Sequence, residues 1–368
     1  MSAAPPRWIK QNEPLAPHTT IGLGGPARFF ARCESAARLL EALSFARESG
    51  LATEVMSGGS NILFADEGFD GLIIQSALRG QRVDESAGTV FAASGESWDD
   101  LVRSCIERGW GGIECLSGIP GSVGATPVQN VGAYGQEVSE TIISVRALER
   151  QSGEIREFSA PECGFAYRQS RFKGRDAGRF IITEVRFRLH KNAAPDVRYV
   201  ELQRALEERA VPASLRSGGA TLSTVREAVL ALRRRKSMVI DDRDPESRSV
   251  GSFFMNPVLS SEAYRSLCDS WQTTGDGSAV PAFPGGAGVK VSAAWMVEHA
   301  GFSKGQRKGG AAISRHHALA LVNRGGSTAD VLELAEDIRR SVKERFGVHL
   351  GIEPVIVPFR PPRHEAAS

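Results

Sequence analysis

The chain has 368 residues, 41% hydrophobic and 24% charged, with a formal net charge of +2. That length supports two or three domains with real cores, and the composition is that of an ordinary globular protein. The near-neutral balance supplies no global field toward nucleic acid or membrane, so any pull on an anionic ligand must be local. No stretch approaches the roughly 20 apolar residues that a membrane-spanning helix needs. The opening MSAAPPRWIKQNEP lacks the apolar run of a signal peptide. Five widely spaced cysteines, Cys33, Cys105, Cys115, Cys163 and Cys268, contain no C-x-x-C pair. An odd, scattered set argues for a reducing cytoplasm and against a disulfide framework or zinc site.

In chain order, ARLLEALSFARESG (37–50) spaces its apolar residues by three and four and ends in Gly50, predicting a helix with a glycine stop. TEVMSGGSNILF (53–64) predicts strand, glycine turn, strand. DDLVRSCIERGW (99–110) is helical, and VSETIISVRALER and GRFIITEVRFRLH are β-rich. STVREAVLALRRRKS (223–237) predicts a connecting helix. A last block follows, with AAWMVEHAG, the strand-like HALALVN, a long helix over 328–347 stopped by Gly347, and a returning strand in VHLGIEPVIV. Residues 273–290 are rich in Gly and Pro and predict a loop. The tail RPPRHEAAS is expected to fray. Mixed strands and helices imply an α+β architecture rather than a regular βαβ alternation.

Two glycine-rich segments carry the first functional signal. One is Ser57-Gly58-Gly59-Ser60-Asn61. The other is Gly118-Ile119-Pro120-Gly121-Ser122-Val123-Gly124-Ala125, followed by Gly132, Tyr134 and Gly135. Glycines let backbone N–H groups approach a diphosphate, and concave runs of such groups bind anions. Each loop alone is equally a tight turn; two of them from separate blocks can clamp one dinucleotide. Gly22-Leu23-Gly24-Gly25-Pro26-Ala27 formally fits G-x-G-x-x-A, but β-like Arg28-Phe29-Phe30 follows where that fold needs a helix, so it reads as a hairpin turn. His316-His317 lacks a third ligand at metal spacing, so no metal site is expected. The basic run Arg233-Arg234-Arg235-Lys236 ends a helix, where cations suit the dipole, and with no stacking aromatics it predicts no nucleic-acid partner.

SGGSNILFADEGFDGLII, LSGIPGSVGATPVQNVGAYG, GFAYRQSRF, VGSFFMNP and GIEPVIV occur in one order. That set resembles the UDP-N-acetylenolpyruvoylglucosamine reductases, in their long form with an extra tyrosine segment, from about Pro14 to Phe359. The resemblance implies non-covalent FAD, NADPH as reductant and UDP-N-acetylglucosamine enolpyruvate as substrate, in peptidoglycan precursor synthesis. The fold it implies is α+β: a two-part FAD-binding module of the VAO/PCMH type over 14–191, divided near residue 76, then a smaller substrate-binding domain over 216–359 that closes over the sugar nucleotide. A cytoplasmic monomer, without nucleic-acid or membrane partners, is expected.

The family's FAD loops fall on Ser57, Gly58, Gly59, Ser60 and Asn61, and on Gly118, Ile119, Pro120, Gly121, Ser122, Gly124 and Ala125, with Gly132 and Tyr134 nearby. Its catalytic arginine falls on Arg168 in Tyr167-Arg168-Gln169-Ser170, its serine proton donor on Ser252, and its glutamate before proline on Glu353. Tyr199, Lys236 and Asn256 are the implied substrate contacts. Many members carry lysine where this chain has Met255.

The implied chemistry suits these side chains. Adding hydride to an enol ether conjugated to a carboxylate builds negative charge that spreads into the carboxylate. Arginine binds carboxylate with a planar fork and keeps its charge; a carboxyl group can orient it; a hydroxyl can deliver the proton. Read without the family, Arg168 is an ion-pair residue, Ser252 a turn cap and Glu353 an edge-strand carboxylate. Two other readings remain at this stage: a sugar or alcohol oxidase on a similar FAD scaffold, with covalent flavin, and an inactive relative that senses a nucleotide sugar. No histidine lies in either glycine loop to tether flavin, and retention of Arg168, Ser252 and Glu353 opposes an inactive relative.

Overall fold

The computed structural model describes residues 4–208, 219–286 and 288–358. The expected ends of the third segment, residues 216 and 359, and the tail expected to fray lie outside the described residues. The chain forms two compact units. The first comprises residues 1–18, 26–60 and 68–240, and the second residues 19–25, 61–67 and 241–368.

The first unit contains two sheets. In one, the strands run in the order Lys10–Pro14, Pro26–Cys33, Phe69–Ser76, Ala52–Met56. The first two are antiparallel, as the reading of a turn at Gly22–Ala27 requires, although the connection is a longer loop. The other pairings are parallel, so this sheet holds one βαβ crossover that the α+β reading did not single out. Its helix, Ala36–Glu48, starts at Ser35, whose side chain accepts from Arg38 N–H, and is followed by Gly50 at φ +63°. It buries Leu39, Ala42, Leu43, Phe45 and Ala46 with Leu72 and Ile74 of the sheet; each large side chain so buried contributes about 1.5–3 kcal/mol. The second sheet is antiparallel, in the order Ile155–Ser159, Ile142–Glu149, Phe180–Arg188, Thr89–Ala93, Gln81–Asp84. Helix Trp98–Glu107 packs Trp98, Leu101, Val102, Cys105 and Ile106 into its core.

Helix Gly219–Arg235 belongs to this first unit, not to the C-terminal segment. Its Val225, Ala228, Val229 and Leu232 pack with Cys115, Leu202 and Ala205, so the second unit resumes only at Asp241. Helix Val200–Glu208, which the sequence did not announce, supplies Leu202 and Ala205.

The second unit has an antiparallel sheet in the order Ser249–Ser252, Ala320–Asn323, Ala311–Ile313, Arg307–Lys308. Helix Thr328–Phe346 shares its core through Val331, Leu334, Ala335, Ile338 and Val342. A capping box at Ser327 and Asp330 starts that helix and Gly347 at φ +68° ends it. Strand Ile62–Phe64 pairs in parallel with Val355–Val357. The expected strand–turn–strand at 53–64 is therefore not a hairpin: its two strands join different sheets in different units.

The Gly/Pro-rich stretch 273–290 is more ordered than its composition suggests. Helix Ser261–Thr274 runs into it, and strands Ala282–Pro284 and Val289–Val291 pair antiparallel. Gly285 N–H donates to the Gly288 carbonyl at 3.0 Å, closing a turn whose glycines gave the impression of a loop. No helix among the described residues is long and apolar enough to cross a membrane.

Candidate active site

The glycine loops of the first unit meet backbone to backbone. A Cβ on Gly58 would lie 2.9 Å from Gly121 Cα, and one on Gly121 would lie 2.8 Å from Ser60 Oγ. Ser60 Oγ donates to the Pro120 carbonyl at 3.2 Å, and the Ser57 and Ser122 hydroxyls are hydrogen-bonded. Only glycine permits this approach, and Gly121 sits at φ +109°. Several loop N–H groups are already engaged: Val123 with Glu96 O, Gly124 with Ser94 O, and Gly118 with the Asp99 carboxylate. Ile119, Gly121 and Ser122 have N–H groups with no partner among the described residues. Paired glycines, three serine hydroxyls and open N–H donors suit a diphosphate, so the loops fit FAD. Asn61, expected beside them, belongs to the second unit, where its carbonyl accepts from Val355 N–H at 3.0 Å.

Arg168 lies in the same unit at φ +54°, and its Nη2 donates to the Gly132 carbonyl at 2.9 Å. Two residues on, the Tyr134 ring meets Tyr199 edge to face at 5.7 Å. Lys236 Nζ lies 5.8 Å from the centre of the Tyr134 ring and 2.6 Å from the Glu201 carboxylate. Burial pushes the Tyr134 phenol up to about 12. The fold thus gathers Gly132, Tyr134, Arg168, Tyr199 and Lys236, and adds Glu201 as the lysine's counter-ion.

Two residues whose contacts sequence reasoning missed, buried Glu114 and half-buried Arg233, brace this region. Glu114, 1% exposed, accepts from Gly112 N–H at 2.6 Å, Gln136 Nε2 at 2.9 Å and Asp196 N–H at 3.4 Å. It therefore ties together the segment before Gly118, the turn carrying Tyr134 and the segment leading to Tyr199. Arg233, expected only to end a helix, donates from Nε to the Gly118 carbonyl at 3.1 Å. Its place two turns after Arg226 on an amphipathic helix was a signal, but nothing in the sequence names its partner.

The second unit places Ser252 and Glu353 on neighbouring segments. Ser252 ends strand Ser249–Ser252 opposite Ala320, after an irregularity in which Gly251 takes φ +77°. The next residue, Phe253, donates its N–H to Leu319 O at 2.8 Å and accepts at its carbonyl from Glu353 N–H at 2.9 Å. Phe253 and Phe254 are buried, which anchors the strand end. Asn256 Oδ1 accepts from Ala293 N–H at 2.9 Å, so its carboxamide is oriented by the start of helix Ala293–His299. Met255 packs its methyl group against Gly351, where a Cβ would lie 2.7 Å away.

Comparison with known proteins bears on both units. A model described as "FAD binding domain" matches residues 27–159, and one described as "UDP-N-acetylenolpyruvoylglucosamine reductase, C-terminal domain" matches residues 244–357. The UDP-N-acetylenolpyruvoylglucosamine reductase of Thermobifida fusca is 45% identical over 357 residues, covering 94% of this chain and 97% of the relative. That of Mycobacterium tuberculosis is 46% identical over 365 residues, covering 95% of each. The crystal structure of the Thermus caldophilus UDP-N-acetylenolpyruvylglucosamine reductase matches with a TM-score of 0.63 at 24% identity, covering 95% of this chain and 98% of that one, and speaks for the fold.

Proposed function

The chain belongs to the UDP-N-acetylenolpyruvoylglucosamine reductase family, and from that premise we propose a division of labour among its residues. The protein is an FAD-dependent oxidoreductase that uses NADPH to reduce UDP-N-acetylglucosamine enolpyruvate to UDP-N-acetylmuramate in peptidoglycan precursor synthesis. FAD, when bound, supplies the two-electron transfer that links the nicotinamide to the enolpyruvyl double bond.

The N–H groups of Gly58, Ser60, Ile119, Gly121 and Ser122 hold the cofactor's diphosphate. Arg168 pairs with the enolpyruvyl carboxylate and stabilises the negative charge that develops there. The Arg168–Gly132 hydrogen bond aims the guanidinium. Ser252 delivers a proton to carbon, and Glu353, on the adjoining segment, serves the developing enolate by donating a carboxyl O–H to it. Tyr199 and Lys236 contact the UDP group, with Lys236 exchanging its Glu201 partner for phosphate, and Asn256 offers its Nδ2 to the substrate. The observation that carries the acid assignment is the Glu353 N–H bond to the Phe253 carbonyl, which sets the Glu353 segment beside the proposed donor. A cytoplasmic setting is consistent with five free cysteines. We also read the chain as a monomer that needs neither nucleic acid nor membrane.

Stopped-flow measurement of the two half-reactions tests this reading. Ser252→Ala should fold, bind FAD and be reduced by NADPH at close to the normal rate. Its reoxidation by substrate should slow by about 10²-fold or more, the scale for losing a general acid. Equal slowing of both halves would make the serine structural and remove it as the acid.

A further inference from the structure

Gly118 opens the second glycine loop, and both of its backbone polar atoms are held by charged side chains. Its N–H donates to Asp99 Oδ1 at 2.5 Å, and its carbonyl accepts from Arg233 Nε at 3.1 Å. Asp99 in turn receives both terminal nitrogens of Arg226, at 2.6 and 2.7 Å, a two-pronged pairing. Asp99 stands in the first turn of helix Trp98–Glu107, and Arg226 and Arg233 lie seven residues apart on helix Gly219–Arg235, hence on one face. All of these groups belong to the first unit.

The geometry constrains the residues next in line. Gly118 sits at φ +72°, where glycine's freedom makes an unheld peptide easy to rotate. The Gly118 carbonyl and the Ile119 N–H belong to one planar trans peptide and point in opposite directions. Fixing the carbonyl on Arg233 therefore aims the Ile119 N–H away from it. Fixing the Gly118 N–H on Asp99 holds the preceding peptide, so both soft dihedrals of Gly118 are set. Burial raises the Asp99 carboxyl, but hydrogen bonds from Arg226 and Gly118 outweigh this and hold it below its ordinary 3.8, so it is ionised at neutral pH.

We propose that Asp99, oriented by Arg226, is a positioning residue for the cofactor: it locks the Gly118 peptide so that the Ile119 N–H faces the diphosphate, and it sets FAD affinity without touching FAD. This rests on the FAD-binding reading above. The competing account is that the Asp99–Arg226 pair merely joins two helices. The accounts separate because Gly118 N–H needs an acceptor at position 99, whereas an ion pair needs only opposite charges.

The experiment is titration of FAD into the apoproteins, followed by flavin fluorescence, with the thermal midpoint of each apoprotein measured by circular dichroism. Asp99→Ala should bind FAD about 10-fold more weakly or worse, the scale for losing a hydrogen bond to a charged group. Asp99→Asn keeps an acceptor and should lose less. The exchange Asp99→Arg with Arg226→Asp restores the ion pair and should recover the apoprotein midpoint, yet bind FAD as weakly as Asp99→Ala. Wild-type affinity in Asp99→Ala, or its recovery in the exchange, overturns the proposal. Should Asp99→Ala not fold, Asp99→Asn and Arg226→Gln decide: a loss of about 3-fold or more in each supports it, and unchanged affinity overturns it. A wild-type apoprotein that takes up no FAD overturns the cofactor reading itself, whereas wild-type uptake with an indifferent Asp99→Ala overturns only this proposal.

Discussion

In the first unit the groups assigned to the cofactor are mainly backbone N–H donors on glycine loops. In the second the groups assigned to the substrate and its protonation are side chains, Ser252, Glu353 and Asn256, carried at strand ends and turns. The two kinds of group are positioned by different forces. A strand-end side chain is aimed by pairing: Phe253 bonds to Leu319 on one side and to Glu353 on the other. The second glycine loop is paired by backbone only at its far end, where Val123 and Gly124 bond to Glu96 and Ser94 and Gly121 to Trp98; at Gly118 its direction comes from side chains remote in sequence, Asp99, itself paired to Arg226, and Arg233, with Ser60 on Pro120. Backbone recognition therefore depends on distant braces, and side-chain recognition on register.

The strongest way to break this contrast is to fill the glycine contact. Gly58→Val places side-chain atoms against the Gly121 backbone, where even a Cβ would come within 2.9 Å. FAD affinity should fall by about 10³-fold, since two or more loop hydrogen bonds are lost together, as measured by equilibrium dialysis. The second unit, probed by the melting of its Trp271 and Trp295 fluorescence, should be unchanged.

Arg168→Lys tests a side-chain function inside the backbone-dominated unit. Lysine keeps the charge but loses the fork. Reoxidation by substrate should slow by about 10²-fold while FAD affinity holds. A loss of FAD affinity of similar size would mean that Arg168 serves the loops instead.

A smaller effect should come from the brace at Glu114. In Glu114→Gln one oxygen acceptor must serve N–H groups that now share two, loosening the segments that carry Tyr134 and Tyr199. KM for the sugar nucleotide should rise about 10-fold, the scale of one such bond, with reduction by NADPH unaffected. A matching fall in the NADPH half-reaction would show general damage.

Titration gives the smallest changes. Tyr134 is raised from an ordinary 10.0 to about 12, with burial as the cause. The native state holds this proton more tightly than the unfolded chain, so its contribution to stability is complete below pH 10 and fades as pH rises toward 12. Tyr134→Phe should flatten part of the decline in melting temperature across that window. The thiols extend the same logic: burial lifts Cys33, Cys105 and Cys163 to about 12 and Cys115 further still. A disulfide reagent should therefore modify only Cys268, the partly exposed one, in the native protein.

Local chemistry wrote several of these features directly into the sequence. Helix Ala36–Glu48 and helix Thr328–Phe346, each with its glycine stop, and the glycine loops were legible because periodicity and glycine runs act within a few residues. The ordered family motifs marked Arg168, Ser252 and Glu353 as candidates, and similarity to reductases of that family over 94% of the chain shows the family. Tertiary structure alone decided where those pieces went. It sent the two strands around Ser57–Asn61 to different units, assigned helix Gly219–Arg235 to the first unit rather than the last segment, and ordered strands within the Gly/Pro-rich stretch. It also chose Asp99 and Arg226 as partners across 127 residues and gave Glu114 three donors from three segments. Such pairings rest on loop closure and on the need to satisfy buried polar groups, which depend on which segments pack together. A sequence shows which donors and acceptors exist; only the packed chain determines which of them meet.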